Sequence, residues 1–206
     1  MSLWELMEKG GPIMWPLLVT SLISATVVLE RLFFVVRETR RRQPQVVADM
    51  LGKVERNELE QALTIGRDSS DFVARTLAQG IQHRYGSAVN ALLNAANQEL
   101  RRFHQGLTVL DTAITLGPLL GLLGTVTGMI RSFGMLGSTE LSAPAIITGG
   151  IAEALIATAA GLGVAIVALI PFNYLNARAE EARHELEDTS TRLELLLLRS
   201  SADGDQ

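Results

Sequence analysis

The chain has 206 residues, of which 48% are hydrophobic, and its mean hydropathy of +0.25 exceeds that of most soluble domains, which favours a membrane protein. The formal net charge of -4 gives no indication of nucleic-acid binding. The absence of cysteine excludes disulfides, thiolate metal sites and a cysteine nucleophile. No phosphate-binding loop, zinc-protease motif or Ser-His-Asp arrangement is evident, so we expect neither an enzyme nor a bound metal or cofactor.

Three stretches are apolar over the ~20 residues that a helix needs to cross a bilayer. They lie between Lys9 and Glu30, between Asp111 and Arg131, and between Glu140 and Arg178. A cleaved signal peptide is the alternative for the first stretch, but Glu5 and Glu8 stand where a basic segment would be expected. Because hydrocarbon cannot satisfy an open backbone, each stretch must be helical. The sequence therefore predicts an all-α integral membrane protein with three transmembrane helices.

Basic residues determine the predicted orientation. A basic cluster follows the first span, Arg178 and Arg183 follow the third, and the loop between the second and third spans has no Lys or Arg. The positive-inside rule then places the N-terminus outside and the long middle region and the C-terminus inside. The predicted segments are an outer N-terminal segment at 1–11, transmembrane helices at 12–36, 108–131 and 146–174, a cytoplasmic helical region at 37–107, a periplasmic loop at 132–145, and a cytoplasmic helix and tail at 175–206.

Apolar residues at helical spacing occur along the polar region between the first and second spans, and they predict amphipathic helices. Pro44 and the segment 66–70 are the expected breaks between these helices. We interpret the region as a helix bundle with a packed core and a solvated face. The three apolar stripes are Val47, Met50, Leu51 and Val54; Phe72, Val73, Leu77 and Ile81; and Leu92, Leu93, Leu100, Phe103 and Leu107.

Glu153 is the only charged residue of the third span. A carboxylate inside a membrane helix is costly, so it usually faces protein or water and indicates a functional site. The structural alternative is a polar contact that fixes helix packing. The hydroxyls of Thr125 and Thr158 could lie at one level of the membrane and hold a water or a carboxyl group. A lone membrane threonine, however, more often bonds back to its own helix. We predict that Thr125, Glu153 and Thr158 line an ion pathway.

Small residues recur every four positions in the second and third spans, a spacing that lets helices approach closely. This pattern fits packing within one chain and packing between the copies of a homo-oligomer equally well. The expected packing positions are Gly117, Gly121, Gly124, Gly128, Gly149, Gly150, Ala157 and Gly161.

Three segments of the chain resemble one known family. They are LWELMEKGGPIMWPLL near the start, LGPLLGLLGTVTGMIRSF in the second span and GGIAEALIATAAGLGVAIVALIPFNYL in the third. These segments resemble the MotA/TolQ/ExbB proton-channel family and are most similar to its ExbB branch, with TolQ next. The resemblance implies that Thr125, Glu153 and Thr158 occupy the pore positions of the family.

The resemblance also implies partners and a role. A homopentamer would surround the single-span helices of an ExbD- or TolR-like subunit, whose membrane aspartate takes up and releases the proton. The expected function is to couple the proton motive force across a bacterial inner membrane, through a TonB-like protein, to transport across the outer membrane.

Three alternatives to this function remain. A TolQ-like subunit would act with a TolA-like protein in envelope integrity and division. A non-conducting membrane scaffold would use Glu153 only for packing. A secondary transporter is the weakest alternative, because such proteins usually have more spans and an inverted repeat.

Overall fold

The computed structural model of the chain describes residues 3–84, 86–136 and 143–203. These ranges are helical and contain no strand. The helices are α1 (Leu3–Lys9), α2 (Met14–Arg40), α3 (Pro44–Glu55), α4 (Leu59–Asp68), α5 (Phe72–Gln82), α6 (Ala88–His104), α7 (Leu107–Leu136) and α8 (Ala143–Asp203). Part of the predicted periplasmic loop, residues 137–142, lies outside the described residues.

Three helical stretches are long and apolar enough to cross a membrane. They are Met14–Arg40, Ala88–Gly134, which contains α6 and most of α7, and Thr148–Arg199. The prediction of an all-helical protein with three candidate membrane-spanning helices is therefore confirmed.

The chain divides into two compact units, each built from segments that are distant in sequence. Unit 1 comprises Met1–Leu32 and Gly106–Tyr174, and unit 2 comprises Phe33–Gln105 and Leu175–Gln206.

In unit 1, helices α7 and α8 approach until their backbones touch. A Cβ atom placed on Gly117 would lie 2.8 Å from the carbonyl oxygen of Gly161, and one on Gly121 would lie 3.1 Å from the Cα atom of Thr158. A Cβ on Gly128 would lie 3.1 Å from the Cβ of Ala154. At 2.8 Å the added atom would overlap the backbone of α8, and at 3.1 Å it would be closer than ordinary van der Waals contact, so glycine at these positions allows the close approach of the two helices.

The other predicted packing residues of α8 lie on two different faces of that helix. Ala157 is buried and lies 2.5 Å from the Cβ position of Gly124, and Gly150 packs against Ser132. Gly149 differs, because no described atom lies within 4 Å of its Cβ position. Successive residues of an α-helix point about 100° apart, so Gly149 cannot share the contact face of Gly150. Within the described part of this chain, Gly149 therefore lies off the contact with α7, and its predicted packing role stays a prediction.

Unit 2 has an apolar core that α3, α4 and α5 share with the ends of α6 and the later part of α8. The predicted stripes of α3 and α5 are buried in it. In α6, Leu92 and Phe103 are buried, but Leu93 is 56% exposed because it points away from the face that Leu92 buries. Phe103 packs edge-to-face against Phe34 and Phe72, with ring centroids 5.5 and 5.3 Å away.

Asp71 is the buried polar centre of unit 2. Its carboxylate accepts hydrogen bonds from the backbone N–H of Val73 at 2.8 Å, which caps α5, and from the backbone N–H of Gln43 at 2.6 Å, next to the start of α3. The guanidinium of Arg42 donates to both Asp71 and Glu185. A buried carboxylate is tolerated when its lone pairs are filled in this way, so Asp71 connects the start of α5 to the start of α3 and, through Arg42, to Glu185 on α8.

Asp71→Ala is expected to lower the free energy of unfolding by about 3 kcal/mol, because it removes the cap of α5 and one carboxylate partner of Arg42. The measurement is thermal and denaturant unfolding of the purified protein in detergent, followed by circular dichroism. Asp49→Ala, at an exposed position of α3, is the control and should change stability by no more than about 0.5 kcal/mol. Equal effects of the two substitutions would contradict the role of Asp71.

Gly161→Ala is expected to destabilise the protein by about 1–3 kcal/mol, because its new methyl group would overlap the backbone of α7. Gly163→Ala makes the same change in helix propensity two residues later, where no described atom lies within 4 Å of the Cβ position. This control should be neutral or stabilising. The melting temperatures of the two purified variants test the comparison, and a Gly161→Ala variant as stable as Gly163→Ala would refute the close contact.

Candidate ion-pathway site

Glu153 lies on α8 and forms an ion pair with Arg131 near the end of α7. The Oε1 atom of Glu153 is 3.0 Å from Nη1 of Arg131, and the two side chains are 26% and 46% exposed. The next residue, Ala154, is buried against α7. The carboxylate that the sequence places in an apolar span therefore faces protein, and a cation on the neighbouring helix balances its charge.

Gly11 brings a third segment to the same carboxylate. Its φ angle is +72°, a backbone conformation that L side chains rarely adopt, and a Cβ atom there would collide with Oε1 of Glu153. The carbonyl oxygen of Gly11 accepts a hydrogen bond from the backbone N–H of Met14 at 3.1 Å, at the start of α2. Glycine is thus required at position 11 both for the turn into α2 and for the contact with Glu153.

The two predicted threonines make different contacts. Thr158 donates its hydroxyl across the helix pair to the carbonyl oxygen of Gly121 at 3.0 Å. Thr125 donates to Leu122 in its own helix at 2.7 Å, which is the alternative that the sequence leaves open for it. Within the described ranges, no hydrogen bond joins the side chains of Thr125, Glu153 and Thr158 to one another.

The polar contacts nevertheless follow one antiparallel helix pair. Arg131 meets Glu153, Gly121 meets Thr158 and Gly117 meets Gly161, so residues that come later on α8 contact earlier residues of α7. Thr125 stands on α7 between the first two contacts. At ~1.5 Å rise per residue, the five residues from Glu153 to Thr158 span about 7 Å along α8. We define this contact line between α7 and α8 as the seam.

Arg131 and Gly11 are site residues that sequence reasoning missed. The sequence marks Arg131 only as the end of the second span, although a short connection between antiparallel helices brings the end of one near the start of the next. The Gly10-Gly11-Pro12 run is a turn signal immediately before α2. Among the residues that the structure describes, no three His, Asp or Glu side chains come close enough to hold a metal ion.

Comparison with known proteins places this chain in a family. The sequence profile of the MotA/TolQ/ExbB proton channel family matches residues 68–188, more than half of the chain. Biopolymer transport protein ExbB-like 1 of Synechocystis sp. is 37% identical over 195 residues, which cover 91% of this chain and 76% of that protein. ExbB-like 3 of the same organism is 33% identical over 196 residues, covering 92% of each chain. ExbB of Neisseria gonorrhoeae is 34% identical over 140 residues, covering 68% of this chain and 63% of that protein. The chain is therefore a multi-pass membrane protein that belongs to the MotA/TolQ/ExbB proton channel family.

Proposed function

We propose that this chain forms the wall of a proton channel in a bacterial inner membrane, and that the channel couples the proton motive force to TonB-dependent transport across the outer membrane. The observation that carries the proposal is Glu153, a carboxylate in an apolar span whose side chain is turned toward α7. Relatives named as ExbB biopolymer transport proteins support the pathway, and the family match, which covers the whole seam, supports the channel.

The proposed assembly is a homopentamer around the single-span helices of an ExbD- or TolR-like subunit, with the N-terminus in the periplasm. Arg37 and Arg40 in the last turn of α2, and Arg178 and Arg183 on α8, support this orientation, because basic residues favour the cytoplasmic side. Large apolar side chains remain exposed along α7 and α8 and are available to lipid or to neighbouring copies. They include Leu119, Leu122, Ile130, Leu155, Ile166 and Ile170.

The threonines suit the wall of a pathway that conducts protons. Thr125 and Thr158 each donate their hydroxyl hydrogen to a backbone carbonyl oxygen, so the lone pairs that remain on each hydroxyl oxygen can only accept. A water or a protonated carboxyl group that brings its own hydrogen fits such a surface. The partner's membrane aspartate carries the proton in this proposal, driven by ~2.3 kcal/mol per 100 mV for each charge that crosses.

The ion pair between Arg131 and Glu153 favours a second candidate function, a non-conducting scaffold that only holds partner helices together. In that case Glu153 is a packing residue whose partner is already present. The two functions differ in whether the intact complex conducts protons and in whether that flux depends on the carboxylate of Glu153.

Glu153→Gln and Thr158→Val are each expected to lower proton flux at least about tenfold, the effect of a barrier about 1.4 kcal/mol higher. The measurement is dye-detected proton flux in proteoliposomes that contain this chain with its co-purified single-span partner. Thr127→Val is the control for loss of a threonine hydroxyl, because Thr127 on α7 bonds to its own helix and is not a predicted pathway residue. Wild-type flux in Glu153→Gln, with the complex intact by size-exclusion chromatography, would remove Glu153 from the pathway, whereas no proton flux through the intact wild-type complex would establish the scaffold.

A further inference from the structure

We propose that Arg131 excludes metal cations from the Glu153 site and so makes the pathway selective for protons. This inference rests on the proposed function, in which Glu153 lies in the wall of the pathway. It names the residue that keeps metal cations out, which neither the spacing of polar residues nor the family match gives.

The charge of Arg131 is the first reason that metal cations are excluded from the Glu153 site. A free carboxylate is a hard oxygen ligand for Na⁺, Mg²⁺ or Ca²⁺, whereas the Glu153 carboxylate has a guanidinium 3.0 Å away. Arginine is the cationic side chain best suited to a close ion pair with a carboxylate. A metal ion that approached the carboxylate would first have to displace Arg131 and then remain close to it. The guanidinium therefore occupies the place of a bound cation without being able to leave along the pathway.

The space around Oε1 of Glu153 is also too small for a metal ion with its ligands. Oε1 of Glu153 accepts from Arg131 and is also covered by the backbone of Gly11, where a Cβ atom would overlap it. A metal ion needs a shell of about six oxygen ligands. Among the described residues no cluster of acidic or histidine side chains supplies one. A proton needs one lone pair and no ligand shell, and the acceptor oxygens of Thr125 and Thr158 meet that need.

The position of Arg131 along α7 is the third reason. Arg131 is the only basic residue between His104 and Arg178. It lies near the end of α7, and its side chain is about half exposed, so an ion that moves along the wall from this end of α7 meets the guanidinium before it meets either threonine. Arg131 is therefore a positioning residue that acts through Glu153, and its effect should appear in ion selectivity as well as in stability.

The test measures proton flux and ²²Na⁺ flux in proteoliposomes that contain the full chain with its single-span partner. Arg131→Gln should raise sodium flux relative to proton flux about tenfold, which corresponds to about 1.4 kcal/mol. Arg131→Lys keeps the positive charge and should keep sodium out. Arg131→Gln/Glu153→Gln lacks the exposed carboxylate and should again exclude sodium. Arg178→Gln is the matched control, since it breaks a pair with Glu181 outside the seam and should leave selectivity unchanged.

Failure of this inference can be told apart from failure of the proposed function. Sodium exclusion in Arg131→Gln equal to that of the wild type, while Glu153→Gln abolishes proton flux, overturns the role of Arg131 and leaves the channel intact. Sodium flux in Arg131→Lys as high as in Arg131→Gln also overturns it, because charge would then not be the cause. Proton flux that persists in Glu153→Gln overturns the proposed function itself. Should Arg131→Gln fail to assemble, Arg131→Asn gives the same comparison.

Discussion

The backbones of α7 and α8 touch, and the polar chemistry of unit 1 depends on that contact. Gly117 and Gly161 stand where any side chain would separate the helices. At this distance Thr158 reaches a carbonyl oxygen across the seam, and Arg131 reaches Glu153. In hydrocarbon, burial of apolar surface does not drive helices together, so close packing and such hydrogen bonds must hold them. The small residues therefore set the separation of the helices and the reach of every polar side chain between them.

Unit 2 is stabilised by different side chains because its helices are amphipathic. Leucine, valine and phenylalanine fill its core, and large side chains such as Met50, Leu77 and Leu186 are fully buried. Its charged groups occur as a network in which Arg42 joins Asp71 to Glu185. Apolar burial supplies most of the stability of such a bundle, and the network adds specificity through filled lone pairs. In unit 1, the glycines at the contact between α7 and α8 supply this specificity.

The sequence predicts the elements of this protein better than their pairings. Apolar length gives the three candidate spans, and helical periodicity gives the buried faces of α3 and α5, because both are local properties. Helical spacing groups Leu93 with Leu92 in one apolar stripe, but Leu93 is exposed, because spacing alone does not give the rotation of a helix about its axis. For the same reason, spacing alone does not show that Gly150 faces α7 whereas Gly149 does not. The partner of Glu153 depends on the register between α7 and α8, which no local pattern encodes, so Arg131 could not be identified as a site residue.

The charges along the seam bear on what the proposed channel needs from its partner. Arg131 and Glu153 cancel each other, and the two threonines carry no charge, so the seam presents dipoles and no net charge. A neutral wall costs little to hold in a bilayer, whereas an unpaired carboxylate would be costly there. A wall of acceptors also has no group of its own that must gain and lose charge in each cycle. In the proposed channel, the charge that changes therefore stands on the partner helix, where protonation alters its attraction to Arg131 and Glu153 and drives movement of that helix relative to the seam.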